Sequence, residues 1–272
     1  MGLGGQGGTV GTIKRLPVVR DWWRAKQVKR FLSRKGTGLH YGVFRNFSEA
    51  QAWLPATEGF EREDFSDEYI NVRSHRVYGF DYPILFWLRE AFNAGAQSIF
   101  DIGGSVGVHY YAYGKFLAFP PALAWHVCEL PKVNKLGAEL AQRHGVSALT
   151  FTDSMDTSEV ELDIWIAAGA LEFIEGCRPE ALLAKAKQRP GHFFINKLPL
   201  HDGEDFVSTQ NIGSGSFVAH HVYNRARYVA GIEAMGYRLI DSWDVCERSF
   251  IIPGEPERSF DSYSGLYFKR VG

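Results

Sequence analysis

The sequence predicts an α/β fold in which helices cover both faces of a mostly parallel, seven-stranded sheet, a doubly wound arrangement with an N-terminal helical extension. Strand-like apolar segments alternate with helix-like segments from residue 98 onward, which favours parallel strands. No helix separates the last two segments, so we expect an antiparallel last strand. The predicted strands are 98–102, 124–128, 148–152, 162–167, 192–197, 237–243 and 265–270.

Helical spacing of apolar residues predicts the connections between these strands. The predicted helices are 106–118, 132–144, 170–174, 179–188 and 224–235. The connection at 198–217 is long and contains several glycines, so we expect it to be a lid or a binding loop.

The region ahead of the sheet divides into a glycine-rich tail and a helical part. We expect residues 1–10 to be a flexible tail, residues 11–95 to be a helical cap region and residues 96–272 to form the main domain. Ser48 is predicted to cap a helix that ends at Pro55. A second helix is predicted from the "DYPILFWLREAFNAG" segment, which has a proline near its first turn.

Composition excludes several classes of protein. The formal net charge of −1 argues against a nucleic-acid-coating surface, and no apolar run reaches the roughly 18 residues needed to span a bilayer. Three widely spaced cysteines predict neither a disulfide framework nor a metal site, which favours a cytoplasmic protein. The segment from Lys14 to Lys35 contains nine basic residues and a single acidic one, Asp21. This run is either a solvated helix face or a surface for anionic glycan or membrane headgroups.

A glycine-rich turn follows the first predicted strand in the stretch "DIGGSVG", residues 101–107. In open α/β sheets this turn lies at the usual ligand-binding edge, and glycine lets a ligand approach the backbone. Ser105 and Val108 occupy the places where a dinucleotide fingerprint needs glycine, which argues against a nucleotide-binding oxidoreductase. The turn also lacks the Gly-Lys-Ser/Thr of a P-loop.

The turn resembles the first motif of class I S-adenosylmethionine-dependent methyltransferases, in the D-x-G-G-x-x-G form of many O-methyltransferases. The resemblance implies S-adenosylmethionine as cofactor and a Rossmann-like sheet across about residues 98–270. It also implies that Glu129 holds the ribose hydroxyls and that Asp153 lies near the adenine. The cofactor-binding residues that it implies are Asp101, Gly103, Gly104, Gly107, Glu129, Leu130, Asp153, Ser154 and Ala168.

Two further stretches resemble a narrower family of methyltransferases found in bacterial surface-polysaccharide gene clusters. They are "FDYPILFWL" and "INKLPLHDGEDFVSTQNIG…VYNR". This resemblance implies methylation of a sugar hydroxyl on a glycan or polysaccharide precursor. We expect no metal, because the sequence has no HxxxH or CxxC pair, and no nucleic-acid partner, because the net charge is close to zero. A non-catalytic binding module and a different small-molecule acceptor remain as alternatives.

Methyl transfer to oxygen requires the hydroxyl to lose a proton, so a base within hydrogen-bond reach accelerates it. Histidine titrates near neutral pH. We expect the base to be one of three histidines in loops that roof the site, namely His201, His220 and His221.

Overall fold

The computed structural model describes residues 17–61, 68–157 and 161–271, so the predicted tail at 1–10 lies outside the described residues. The first elements are α1 (Pro17–Phe31), β1 (His40–Phe44) and α2 (Phe47–Trp53). Ser48 is not the cap of α2, since the Asn46 side chain accepts the hydrogen bond from the Glu49 amide at 2.8 Å. The N-terminal region therefore contains a strand as well as helices.

Helices and strands alternate from residue 82 to residue 152, and four consecutive strands lie between residues 192 and 224. The strands are β2 (Ser98–Ile102), β3 (Ala124–Cys128), β4 (Leu149–Thr152), β5 (Ile164–Ala168), β6 (His192–Leu198), β7 (Leu200–His201), β8 (Phe206–Gly213), β9 (Ser216–Asn224), β10 (Tyr237–Val245) and β11 (Tyr263–Arg270). The helices are α3 (Tyr82–Asn93), α4 (Val108–Tyr113), α5 (Pro131–Arg143), α6 (Pro179–Lys185) and α7 (Arg225–Glu233). A short 3-10 helix, Leu171–Phe173, follows β5.

The main sheet has the strand order β10-β11-β6-β5-β2-β3-β4. The pairs β6–β5, β5–β2, β2–β3 and β3–β4 are parallel, and β11 runs antiparallel to both of its neighbours. This confirms the predicted seven-stranded, mostly parallel sheet with an antiparallel last strand. Because β5, β2 and β3 are adjacent and parallel, the turns that follow them meet at one edge of the sheet.

Apolar side chains of the central strands point alternately to the two faces. Ile99 packs with Leu88 of α3 on one face, while Phe100 packs with Tyr228 of α7 on the other. All four side chains are buried. The sheet is therefore packed between buried apolar side chains on both of its faces.

A second, four-stranded sheet has the order β1-β8-β9-β7. The hairpin of β8 and β9 pairs antiparallel, and β1 adds to its edge through pairs such as His40 with Gln210. The prediction of a lid or loop at 198–217 is therefore wrong, because most of this segment is strand. Within the described ranges no helix is long and apolar enough to cross a membrane.

Candidate functional site

The glycine turn after β2 brings the backbone to the edge of the sheet. Gly103 and Gly107 have left-handed φ angles of +71° and +88°. A Cβ atom on Gly103 would lie 2.4 Å from the Cβ of Ala170, and one on Gly107 would lie 2.6 Å from Leu149. The turn after β2 thus packs directly against the turn after β5.

Asp101 lies beneath this turn. Its carboxylate is fully buried, with His109 Nδ1 at 2.9 Å from Oδ2, and Trp125 Nε1 donates a hydrogen bond to the same oxygen at 3.1 Å. A Cβ on Gly104 would lie 2.5 Å from the Asp101 carboxyl carbon, so only glycine fits above it. The carboxylate supports the turn from below.

Glu129 directly follows β3, at the same edge of the sheet. One carboxylate oxygen accepts a hydrogen bond from the Ser105 amide at 3.1 Å, and the other accepts one from the Leu130 amide at 2.9 Å. Burial raises the pKa of Glu129, and these two amides act in the opposite direction. Because each carboxylate oxygen can accept more than one hydrogen bond, the side chain can still bind a pair of hydroxyl groups.

A cavity of about 330 Å³ opens above these residues, and we call it the glycine-loop cavity. Its polar wall contains Ser105, Glu129 and Asp153. The other lining residues are glycines, alanine and apolar side chains: Phe60, Tyr69, Ile102, Gly103, Cys128, Leu130, Val133, Met155, Gly169, Ala170, Phe173 and Ile174. This volume and lining are typical of a site for a small organic ligand.

Four of the nine predicted cofactor residues line the glycine-loop cavity: Gly103, Glu129, Leu130 and Asp153. The other five lie next to it or beneath it and are not part of its lining: Asp101, Gly104, Gly107, Ser154 and Ala168. At the end of β5 the lining consists of Gly169 and Ala170, the residues that follow Ala168. The predicted edge of the sheet is therefore where the cavity lies.

The three predicted histidines do not line the glycine-loop cavity. His220 and His221 lie on β9 and not in a loop, and His201 ends β7 with its Nε2 2.8 Å from the carbonyl of Glu204. His221 packs against Phe47 at a ring-centroid distance of 4.6 Å. Their expected place in loops over the site is therefore corrected.

His220 belongs to a buried hydrogen-bonded chain. Its Nε2 lies 3.2 Å from His40 Nδ1, and His40 Nε2 lies 3.3 Å from the hydroxyl of Tyr263. Burial lowers the pKa of His220 to about 3 and holds the pKa of His40 well below its usual range. Both imidazoles are therefore neutral at pH 7, and the two hydrogen bonds connect β1 with β9 and β11.

Sequence reasoning missed Lys197, near the end of β6. Asn196 and Lys197 together oppose the single residue Gly265 of β11, because the register shifts between Ser264 and Leu266. Lys197 has a left-handed φ of +58° at this bulge. The Asn196 carboxamide holds the bulge, since its Oδ1 accepts hydrogen bonds from the Lys197 amide and the Trp243 indole.

The bulge places the Lys197 side chain against Gly169, behind the wall of the cavity. Its Nζ lies 3.7 Å from the position that a Cβ on Gly169 would take, and 5.7 Å from the ring centre of Phe80. Burial, followed by the positive charge of Arg248, lowers the pKa of Lys197 to about 8. A lysine at the end of an otherwise apolar strand, "HFFINK", is the signal that could have indicated it.

Glu172 is a second missed residue, in the 3-10 helix after β5. It is only 2% exposed, and its Oε2 has no hydrogen-bond partner in the described part of the chain. Burial raises the pKa of Glu172 to about 7, although the charges of Arg248 and Lys197 oppose the shift. An amine and a carboxyl group that both titrate near neutral pH therefore lie behind the cavity wall.

The residues around the glycine-loop cavity fit S-adenosylmethionine. Glu129 offers a carboxylate to the ribose diol, and Leu130 and Val133 offer apolar contacts to an adenine. Gly103 and Gly169 leave room for a ligand against the backbone. Among the residues that the structure describes, no group of three or more His, Cys, Asp or Glu side chains could hold a metal ion.

Known proteins similar to this chain are found among solved structures. No protein-family model matches the chain, and no curated protein sequence matches it either. Among solved structures it is similar to the Burkholderia thailandensis 1,6-didemethyltoxoflavin-N1-methyltransferase, which was solved with its substrate and S-adenosylhomocysteine bound. That likeness has a TM-score of 0.48 at 18% identity and covers 80% of this chain and 93% of the other.

Two other solved structures show a comparable likeness. An O-methyltransferase family protein from Burkholderia thailandensis has a TM-score of 0.49 at 11% identity, covering 94% of this chain and 72% of the other. The CcbJ methyltransferase from Streptomyces caelestis has a TM-score of 0.48 at 12% identity, covering 80% and 100%. These likenesses are weak, and the order and direction of this chain's own strands define its fold. Its main sheet is mostly parallel with β11 antiparallel, the arrangement that the motif resemblance implied.

Proposed function

We propose that this protein is an S-adenosylmethionine-dependent methyltransferase that methylates a hydroxyl group of a carbohydrate acceptor, such as a glycan precursor. The half-buried carboxylate of Glu129 at the edge of the glycine-loop cavity is the observation that carries the proposal. It lies where a ribose diol would sit against the glycine turn, at the carboxyl ends of the central strands.

The proposed reaction transfers one methyl group. When bound, S-adenosylmethionine supplies a methyl group on a sulfonium, which is activated for in-line displacement without a metal. The acceptor oxygen forms the new bond to carbon, the sulfur–carbon bond breaks, and the hydroxyl proton leaves. The residues of the chain hold the acceptor in line and take up that proton.

Lys197 fits the role of the base that removes this proton better than the three histidines do. Like the three histidines, Lys197 is absent from the lining itself, but its Nζ lies 3.7 Å from the position that a Cβ on Gly169 of the wall would take. With a pKa of about 8, a substantial fraction of its side chain is the neutral amine near pH 8. We therefore assign proton removal from the acceptor hydroxyl to Lys197.

Aromatic side chains on the far side of Lys197 support a carbohydrate acceptor. Tyr78 and Phe80 stack in parallel with their ring centres 5.4 Å apart, and both line a second cavity. Flat aromatic faces beside polar groups suit the apolar faces and hydroxyls of sugars. The carbohydrate class rests on this surface and on the motif resemblance.

The test is calorimetric titration of the protein with S-adenosylhomocysteine. Because the Glu129 carboxylate is the proposed partner of two ribose hydroxyls, Glu129→Gln is expected to weaken binding at least tenfold, or about 1.4 kcal/mol. Glu139→Gln on the exposed face of α5 is the matched control and is expected to bind as the unchanged protein does. No binding by the unchanged protein, or equal affinities of the two variants, would contradict the proposal.

A further inference from the structure

A second cavity of about 370 Å³ lies on the other side of Lys197 from Gly169. We call it the arginine cavity, after the two arginines in its lining. Its polar and aromatic lining residues are His40, Arg73, Tyr78, Phe80, Gln210, Glu247, Arg248, Ser249 and Tyr263. Unlike the glycine-loop cavity, it is lined mainly by polar and charged side chains.

The two arginines offer hydrogen-bond donors to this cavity. The side chain of Arg248 makes no ion pair or hydrogen bond with any residue that the structure describes. Arg73 donates one hydrogen bond from Nε to Glu68 at 3.0 Å, and its guanidinium lies over the rings of Tyr69 and Tyr78 at 5.5 and 5.6 Å. The aromatic contacts hold the Arg73 guanidinium in place.

Besides its arginines and tyrosines, the titratable groups of the described wall are one neutral imidazole and one carboxylate. His40 is neutral at pH 7, because its imidazole is buried and engaged by His220 and Tyr263. Glu247 is the one carboxylate that lines the cavity within the described residues, against the two guanidinium groups of Arg73 and Arg248. Glu68 pairs with Arg73 from outside the lining, so Arg248 is the guanidinium of this wall without an ion pair among the described residues.

The arginine cavity is one layer of residues away from the glycine-loop cavity. Tyr69 lines the glycine-loop cavity and carries the Arg73 guanidinium, which lines the arginine cavity. Lys197 bridges the same boundary, between Gly169 on one side and Phe80 on the other. A molecule that binds the arginines through one of its groups can therefore extend to Lys197.

We infer that the arginine cavity binds an acidic group of the acceptor, a carboxylate or a phosphate, between Arg73 and Arg248. Guanidinium groups bind these oxyanions with charge-assisted, often paired hydrogen bonds. The acceptor is then an acidic sugar, either a uronic acid or a sugar phosphate. This inference rests on the proposed function, because it names the substrate class of the same site.

Ligand-observed NMR titrations with glucuronate, glucose 1-phosphate and uncharged glucose test the inference, each with and without S-adenosylhomocysteine. At least one acidic sugar is expected to bind ten or more times as tightly as glucose. Stronger binding of glucuronate would identify a carboxylate, and stronger binding of glucose 1-phosphate a phosphate. Glucose binding as tightly as both acids would overturn the inference.

Arginine variants locate the binding. Arg248→Gln and Arg73→Gln are each expected to weaken binding of the acidic sugar at least tenfold, while Arg248→Lys retains part of it. Arg238→Gln on the exposed face of β10 is the control and is expected to change nothing. Equal affinities of Arg248→Gln, Arg73→Gln and the control would overturn the inference, with thermal unfolding showing that each variant is folded.

The two proposals fail in different ways. Absence of S-adenosylhomocysteine binding would contradict the proposed function, whereas the sugar titrations without it still decide whether the arginine cavity binds acids. Normal binding of S-adenosylhomocysteine together with no preference for acidic sugars would overturn the present inference alone.

Discussion

Lys197 combines three unusual properties in one residue. Its backbone is left-handed, which costs on the order of 1 kcal/mol for a residue other than glycine. It lies at a bulge of β6 that the Asn196 carboxamide stabilises, and its amine is largely withdrawn from water. A strained conformation that neighbouring residues enforce is expected where a side chain must point in one direction.

The base role of Lys197 predicts a pH dependence. An amine accepts a proton only when it is neutral, so kcat/KM is expected to rise about tenfold per pH unit below 8 and to level off above it. Lys197→Arg keeps the positive charge but cannot act as a base, and it is expected to lower kcat by roughly 10²–10⁴. The assay is transfer of labelled methyl groups to a panel of uronic acids and sugar phosphates. Lys197→Arg with unchanged kcat would exclude this role.

Glu172 predicts a pH-dependent stability. Its pKa is about 7 in the folded chain against 4.5 for the free side chain, so between these values the folded state holds the proton that the unfolded state has released. The contribution of Glu172 to the free energy of unfolding therefore falls as pH rises from 4.5 to 7. Glu172→Gln lacks this titration. Its free energy of unfolding, relative to that of the unchanged protein, is therefore expected to rise by roughly 2–3 kcal/mol from pH 4.5 to pH 8.

Urea unfolding of both proteins at pH 4.5 and at pH 8 measures this difference. Glu180→Gln, on the first turn of α6, is a suitable comparison because its side chain is more exposed than that of Glu172. The same stability difference between Glu172→Gln and the unchanged protein at both pH values would show that folding does not raise the pKa of Glu172.

At the scale of elements, two turns build the floor of the glycine-loop cavity. The turn after β2 and the turn after β5 touch at Gly103 and Ala170, where a Cβ added to Gly103 would lie 2.4 Å from the Cβ of Ala170. Gly103→Ala is therefore expected to destabilise the protein by about 2–4 kcal/mol through its left-handed backbone and this overlap. It is also expected to weaken S-adenosylhomocysteine binding.

The double variant Gly103→Ala/Ala170→Gly separates the two causes. Removing the Ala170 methyl group relieves the overlap and leaves the left-handed strain, so about half of the lost stability is expected to return. Thermal or urea unfolding of the two single variants and the double variant measures this coupling. Strict additivity of the single effects would show that the two turns do not press on each other.

The main sheet could be predicted because its strands are buried apolar runs separated by glycine and proline. The small sheet could not. Ser208, Thr209 and Asn211 of β8 are fully buried polar residues, so the strand lacks an apolar alternation. Its buried polar groups bond to distant backbone, as when the Thr209 hydroxyl donates to the Tyr41 carbonyl at 2.6 Å. Such pairing between remote segments leaves no local pattern.

At the scale of the whole molecule, the place of the glycine-loop cavity could be predicted from the sequence and that of the arginine cavity could not. Strand ends in a parallel sheet meet at one edge, so Gly103, Glu129 and Asp153 could be placed together from the order of the segments. The arginine cavity draws residues from segments as remote as His40 and Tyr263. No spacing rule connects them, and only the folded chain places them one layer from the glycine-loop cavity.

The most direct test of the account is a crystal structure of the protein with S-adenosylhomocysteine. We expect the ligand in the glycine-loop cavity, with its ribose hydroxyls donating hydrogen bonds to the Glu129 carboxylate and its sulfur on the Gly169 side, facing Lys197. A ligand bound elsewhere on the protein, or ribose hydroxyls out of hydrogen-bond reach of Glu129, would contradict the account.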